Sequence, residues 1–537
     1  MDLLAYPNKC GNGLRKKAES DNIFDLYPYN SPFHRLDKMC YRKRTQTLHD
    51  RQRNHRNEQS CRQHTHSLRA LPFDNLRCKH SLPFDFKHRK HTTSLRLRPN
   101  ATPKTMNTTS KRTFAALFAF LAIAIFQSAF SKCSNIAYLS LCDTTIVKQC
   151  LFLSPDTKHN KPYRIPALAQ CKDKTLLAFS DYRPCGGDIG FGEVDIKLRR
   201  SEDGISWSKE MFVADGKGGE DNVFDCGFGD AAVVADRESN EVLVMCVAGR
   251  VVFNQADKKR HNFMARIRST DSGHTWQQPE DITAMFMTTD STTKPLFPNA
   301  HSMFIASGKI LQSSVFKSEK SKYHRLYAAL LIKDNRGLYN HVIYSDDFGE
   351  SWHKLGNSCI NGGDEAKLEE LSDGTLVISS RKAHGRYFNV FTFSDIASAE
   401  GSWDKTVSSN DFSTGIKVGA NSCNGELLRV KAKRKSDKKE CELLLQSIPT
   451  GDNRTNVSIF FKELESGHKY SSQEIAQGWT KGIQISDKKS AYSTMILQQN
   501  GKIGFLYEEE PGDYSIVYTS LDIEQITLGL YEQTSRK

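Results

Sequence analysis

"STDSGHTW" at residues 269–276 and "SDDFGESW" at 345–352 share the frame Ser-x-Asp-x-Gly-x-[Ser/Thr]-Trp, and each follows an apolar run. "SEDGISW" at 201–207 repeats the frame one residue short, and "SDIASAEGSW" at 394–403 is a stretched copy. These residue types suit a turn. An Asp carboxylate bonds nearby backbone N–H groups, Gly supplies an unusual φ, and Trp packs the turn down. Such a turn carries no chemistry of its own. Copies roughly 50 to 75 residues apart mark repeated sheet units, and a β-propeller stacks such units radially.

The sequence between the turns agrees. Runs such as "TLLAFSDY", "EVLVMCVAG", "LYAALLIKD", "TLVISSR" and "IGFLYEEE" read as short strands punctuated by Gly, Asp, Asn and Ser. Long amphipathic helical stretches are absent. The expected class is all-β.

Charge is distributed unevenly. The 537-residue chain has 75 Lys+Arg against 62 Asp+Glu, a net charge of +13. Residues 1–105 hold 22 of the basic and 9 of the acidic side chains, so the whole excess lies there. The neutral remainder argues against nucleic acid as a partner of the body of the protein. Residues 1–105 lack periodicity and read as a basic, low-complexity leader outside the mature protein. Met106 is followed by Lys111-Arg112, a 13-residue apolar run from Phe114 to Phe126, and then small or polar residues. That is the pattern of a secretory signal over 106–132, too short for a membrane span. Translation is therefore expected to start at Met106. Residues 133–537 are expected to form one exported propeller domain (secreted, periplasmic or at the cell surface) without stable membrane insertion.

Four of the fourteen cysteines fall in the leader, and no C-x-x-C pair or Cys/His ligand spacing is present. Structural zinc is not expected. Cys246 and Cys441 lie in apolar strands and read as small buried hydrophobes.

Three stretches read as hairpins with polar groups at their open ends. "RIPALAQCKDKTLLAFSDYR" (164–183), with a two-residue turn at Asp173-Lys174, sets Arg164 opposite Arg183. "EAKLEELSDGTLVISSR" (365–381), turning at Asp373-Gly374, sets Glu365 opposite residue 382, beside Arg381. "YSTMILQQNGKIGFLYEE" (492–509), turning at Asn500-Gly501, sets Tyr492 opposite Glu509, beside Glu508. In a propeller, equivalent strand ends meet around the axis, so these groups are expected on one face.

The Tyr-Arg-Ile-Pro of residues 163–166, with the repeated turns behind it, resembles the exo-sialidases, glycoside hydrolases built on a six-bladed propeller. The resemblance covers about residues 150–530. It implies release of terminal α-linked sialic acids from glycoproteins, glycolipids or oligosaccharides, with retention and without metal or cofactor. It assigns Arg164, Arg381 and Arg454 to the sugar's carboxylate, a group that converging guanidiniums suit. Tyr492 and Glu365 match the nucleophile and its base, and Asp188 matches the general acid. Arg183 and Asp230 match positions that contact the sugar's ring hydroxyls. A neutral tyrosine avoids the repulsion that a carboxylate nucleophile would meet from an acidic sugar. Asp364 is a departure, since Asn-Glu is more usual there than Asp-Glu. Trans-sialidase, anhydro-forming and non-catalytic sialic-acid-binding variants of the same scaffold are the alternatives.

Overall fold

Strands buried on both faces should lose the polar alternation of a half-buried strand, and the second strands of the repeats do. Val242–Ala248 (VLVMCVA) and Leu176–Tyr182 (LLAFSDY) are buried at every position. Outer strands, such as Glu400–Trp403, are short and largely exposed. The structure, a computed structural model, describes residues 146–534 apart from 156–160, 290–291, 293, 383–384 and 419–422. The basic leader and the signal segment lie outside the described residues, as do the first residues of the 133–537 domain.

Six antiparallel sheets form a six-bladed β-propeller. Blade 1 is Tyr163–Gln170, Leu176–Tyr182, Asp195–Ser201 and Met211–Ala214, from axis to periphery. The inner strands of blades 2, 4, 5 and 6 are Phe228–Ala235, Ala366–Glu370, Leu427–Arg434 and Ser490–Leu497. Blade 3 has a broken inner strand. Ser302–Ile305 and Leu311–Lys317 both pair with His324–Asp334, while Gly308–Lys309 between them pairs in parallel with blade 2. The ring closes where Gln149–Phe152, ahead of blade 1 in the chain, becomes the fourth strand of blade 6. Six apolar clusters fill the spaces between neighbouring blades. Among the described residues, no helix is long and apolar enough to cross a membrane.

The repeated turns close the third strands of blades 1 to 4. In the second copy, Ser269 Oγ donates to Asp271 Oδ1 at 2.8 Å, and that oxygen also accepts the Thr275 N–H at 2.9 Å. Gly273 sits at φ +75° with its N–H on Ser269 Oγ at 2.9 Å. Trp276 packs edge-on against Phe179 of the preceding blade, and Trp207 of the first copy does the same against Tyr518 of blade 6. The turns therefore lock each blade to the one before it.

All three hairpins differ from expectation by one residue in register. Their turns hold three residues, closed by N–H to C=O bonds from Cys171 to Thr175, Leu371 to Thr375 and Gln498 to Lys502. The third loop residue is left-handed in each case: Lys174 at φ +76°, Gly374 at +87° and Gly501 at +88°. Nothing in the dipeptides distinguishes this turn from a two-residue one, least of all a lysine at a position glycine normally takes. Bulges shift two registers again, at Ile165-Pro166 and at Ala491-Tyr492, and a third interrupts blade 2 at Asp230-Ala231. Arg164 thus faces Asp181 rather than Arg183. The Glu365 carbonyl accepts the Arg381 N–H, and Ser490 rather than Tyr492 faces Glu509.

Candidate active site

Within a four-stranded blade the chain runs out, back, out and back, so every inner strand starts at the same rim. Arg164, Asp230, Glu365 and Tyr492 all lie at or beside inner-strand starts, and Arg183 and Arg381 lie at the ends of second strands. Arg454 lies in the turn between Glu440–Gly451 and Thr455–Leu464 of blade 5. The bulges have a consequence here. They turn side chains out of the ladder, and Ile165 and Asp230 adopt φ +58° and +61° to do it, a conformation that a β-branched residue takes only under constraint.

Tyr492 is the centre of the arrangement. Its hydroxyl donates to Glu365 Oε1 at 2.6 Å and accepts from Arg381 Nη1 at 2.9 Å. Arg381 Nη1 also reaches Glu365 Oε2 at 2.7 Å, completing a triangle. The guanidinium carbons of Arg164 and Arg454 each stand 5.8 Å from the Tyr492 ring centroid. Three guanidiniums from blades 1, 4 and 5 thus surround one phenol from blade 6.

Burial pushes the Tyr492 phenol well above its ordinary range, and the neighbouring Glu365 carboxylate pushes it further. Burial also raises Glu365, while Arg381 pulls it back. The hydroxyl that donates to Glu365 and the Arg381 guanidinium paired with that carboxyl are the arrangement of a phenol beside a carboxylate.

Each arginine is held differently. Arg164 grips Glu508 through Nε at 2.7 Å and Nη2 at 3.3 Å, and stacks 4.8 Å from the Tyr514 ring. Glu508 is fully buried, and it also accepts the N–H groups of Ile165 at 2.8 Å and Tyr492 at 3.1 Å. One carboxylate thereby fixes both bulges. Arg381 is clasped by Asp364 through Nε at 2.9 Å and Nη2 at 2.8 Å. The Asp at 364 thus supplies a second anion to Arg381, and its charge adds to the upward push on Glu365. Among the described residues, Arg454 is the one member of the three with no ion pair. Its charge remains available to a ligand.

Beside this triangle lies an acidic cluster around Arg183. Arg183 Nη2 pairs with Asp181 Oδ2 at 3.1 Å and with Asp188 Oδ1 at 2.8 Å. Asp181 also accepts the Asp230 N–H at 3.0 Å. Burial lifts Asp181 to about 7 despite Arg183, and burial together with Asp181 lifts Asp230 well above the carboxylate range. Asp188, in contrast, presents 60% of its side chain to solvent from the loop after Arg183. The two halves are within electrostatic reach of each other: Asp188 acts on Arg164, and Glu365 acts on Asp230. All eight residues singled out from sequence lie in this one site.

Among the described residues, no group of His, Cys, Asp and Glu is arranged to hold a metal ion. Sequence reasoning assigned no role to Glu508, Asp181 or Tyr514. Glu508 was legible as one acid in a strand of buried residues, a placement that asks for a cationic partner.

A family model for the BNR repeat-like domain matches residues 174–505, more than half of the chain. The protein belongs to the BNR repeat-like domain family. A sialidase of Micromonospora viridifaciens is 28% identical to this BNR-family chain over 367 residues, 65% of the chain and 50% of the relative. A sialidase of Paraclostridium sordellii is 27% identical over 328 residues, covering 60% of the chain and 76% of the relative. The chain thus spans half the length of the first and about three quarters of the second. Among solved structures, the Hadza microbial sialidase Hz136 superposes with a TM-score of 0.55 at 21% identity, covering 71% of this chain and 69% of that one. A leech intramolecular trans-sialidase gives 0.55 at 14%, covering 72% and 71%. Both share the fold of this BNR-family protein.

Proposed function

We propose that the protein is an exo-α-sialidase that releases terminal sialic acids with retention, through a covalent bond to Tyr492. The observation that carries the reading is the 2.6 Å Tyr492–Glu365 hydrogen bond inside a ring of three guanidiniums. The sialidase relatives support the same substrate class. Arg164, Arg381 and Arg454 bind the carboxylate that a sialic acid carries on its anomeric carbon. Tyr492 attacks that carbon while Glu365 takes the phenolic proton, and the bond to the leaving oxygen breaks as Asp188 protonates it. Asp188, now ionised, then takes a proton from water. The water attacks the same carbon, and the Tyr492 oxygen leaves with the proton that Glu365 held. Two inversions give net retention.

Arg183 holds Asp188 toward the leaving group, and buried Asp230 offers a protonated carboxyl to a ring substituent. The sialylated glycoprotein, glycolipid or oligosaccharide that presents the sugar, and the export of the protein through a signal over 106–132, belong to the same proposal.

The test uses the full chain with a fluorogenic α-sialoside and a β-galactoside of the same fluorophore. We expect turnover of the first alone, falling by about 10³-fold or more in Tyr492→Phe with the fold unchanged. Equal rates in wild type and Tyr492→Phe would remove Tyr492 from the chemistry. Binding of free sialic acid without turnover by wild type would favour the non-catalytic alternative.

A further inference from the structure

A second polar layer that the proposed chemistry does not use lies beneath the Tyr492–Glu365 pair. Thr494 is two residues along the strand from Tyr492, and Lys367 is two residues from Glu365. Two residues along an extended chain advance roughly 7 Å, so this layer sits deeper in the propeller. Glu426, immediately ahead of the inner strand of blade 5, joins the two. Its Oε2 accepts from Thr494 Oγ1 at 3.0 Å and stands 3.7 Å from Lys367 Nζ. Thr494 and Glu426 are fully buried and Lys367 is 2% exposed.

The surroundings are built to admit this group. Lys367 Nζ also donates to the Ser307 carbonyl, in the segment that interrupts blade 3. Gly308 next to it has φ +105°, a conformation that favours glycine, and a Cβ there would press on Lys367 Nζ. The other oxygen, Glu426 Oε1, accepts the Leu427 N–H at 3.2 Å and lies 3.9 Å from Lys309, which itself bonds Glu369 at 3.0 Å.

Blades 4 and 6 are not neighbours, so no backbone ladder sets the spacing between the strands of Glu365 and Tyr492. Blade 5 lies between them, and its Glu426 touches both strands with one carboxylate oxygen. A buried ion pair is a poor source of stability, because apolar side chains of the same volume serve as well. What it supplies is a fixed geometry.

We propose that Glu426 is a positioning residue: by clasping Thr494 and Lys367 it fixes the strand of Tyr492 against the strand of Glu365 and so sets their hydrogen bond. The proposal rests on the sialidase reading above. Its test compares full-length wild type, Thr494→Val, Thr494→Ser and Glu426→Gln with the fluorogenic sialoside, alongside melting temperature. Valine keeps the shape of threonine and loses the hydroxyl, whereas serine keeps the hydroxyl. For Thr494→Val we expect kcat to fall about tenfold with KM within about twofold of wild type, because misplacing a reacting group acts on the chemical step. Thr494→Ser should retain most of kcat, and Glu426→Gln should repeat the valine result should the valine protein fail to fold. A folded Thr494→Val with wild-type kcat, or a serine protein as impaired as the valine one, overturns the proposal. Absence of turnover in wild type overturns the sialidase reading, and this proposal with it.

Discussion

The two rims of the propeller use the same residue types to opposite ends. At the rim of the repeated turns, each Asp is satisfied by donors within its own few residues. The Ser206 and Ile205 N–H groups hold exposed Asp203 down to about 2. Against the upward push of burial, the Thr275 hydroxyl and N–H hold Asp271 at about 2 as well. At the opposite rim, burial lifts Glu365, Asp181 and Asp230, and their cationic partners offset only part of it. Carboxylates that are locally saturated are structural. Carboxylates that stay under-compensated in a cluster of guanidiniums are poised to exchange protons or meet a ligand.

The largest effect that would break this contrast is at Arg381, which touches Tyr492, Glu365 and Asp364 at once. Removing one partner of a buried charge pair costs about 2–5 kcal/mol, so Arg381→Ala should lower kcat/KM for a sialoside by roughly 30- to 5,000-fold. The pH profile gives the sign. In the proposed mechanism Glu365 must be ionised to take the phenolic proton, and burial raises its pKa. Activity should therefore fall on acidification from a pH above the ordinary glutamate value of about 4.3. Arg381 supplies the main downward pull on Glu365, so the acid limb of Arg381→Ala should move to higher pH. An unmoved acid limb would detach Glu365 from the proton transfer.

The smallest effect lies at the other rim. Asp271→Ala removes three hydrogen bonds of a half-buried turn, and we expect a loss of about 1 kcal/mol of stability at neutral pH. Because the folded-state pKa of Asp271 is depressed, that contribution is present above the unfolded value and is lost as pH falls toward 2. The difference in melting temperature between the two proteins should shrink accordingly on acidification. kcat and KM should not change. A catalytic defect in this variant would show that the two rims are coupled.

The fold was legible because its signals are local: a turn frame, runs of apolar residues and Gly punctuation. The convergence of the site was legible because hairpin ends at one rim follow from the architecture. What escaped was the fine register. A left-handed Lys174 and the bulges at 165–166, 230–231 and 491–492 answer to tertiary demands, among them the N–H bonds that Glu508 accepts. Glu508, Asp181 and Glu426 escaped for a related reason. Glu508 and Glu426 find their cationic partners on other blades, and Asp181, besides its near neighbour Arg183, accepts the Asp230 N–H of blade 2; no spacing in the chain encodes those cross-blade partners.

The most direct test of the central claim is covalent trapping. 2,3-Difluorosialic acid, incubated with the full chain and followed by intact mass and peptide mapping, should add one sugar to the peptide containing Tyr492 and none to Tyr492→Phe. A sugar attached to Glu365 or Asp188, or turnover of a sialoside by a protein that never forms an adduct, would contradict the tyrosine mechanism.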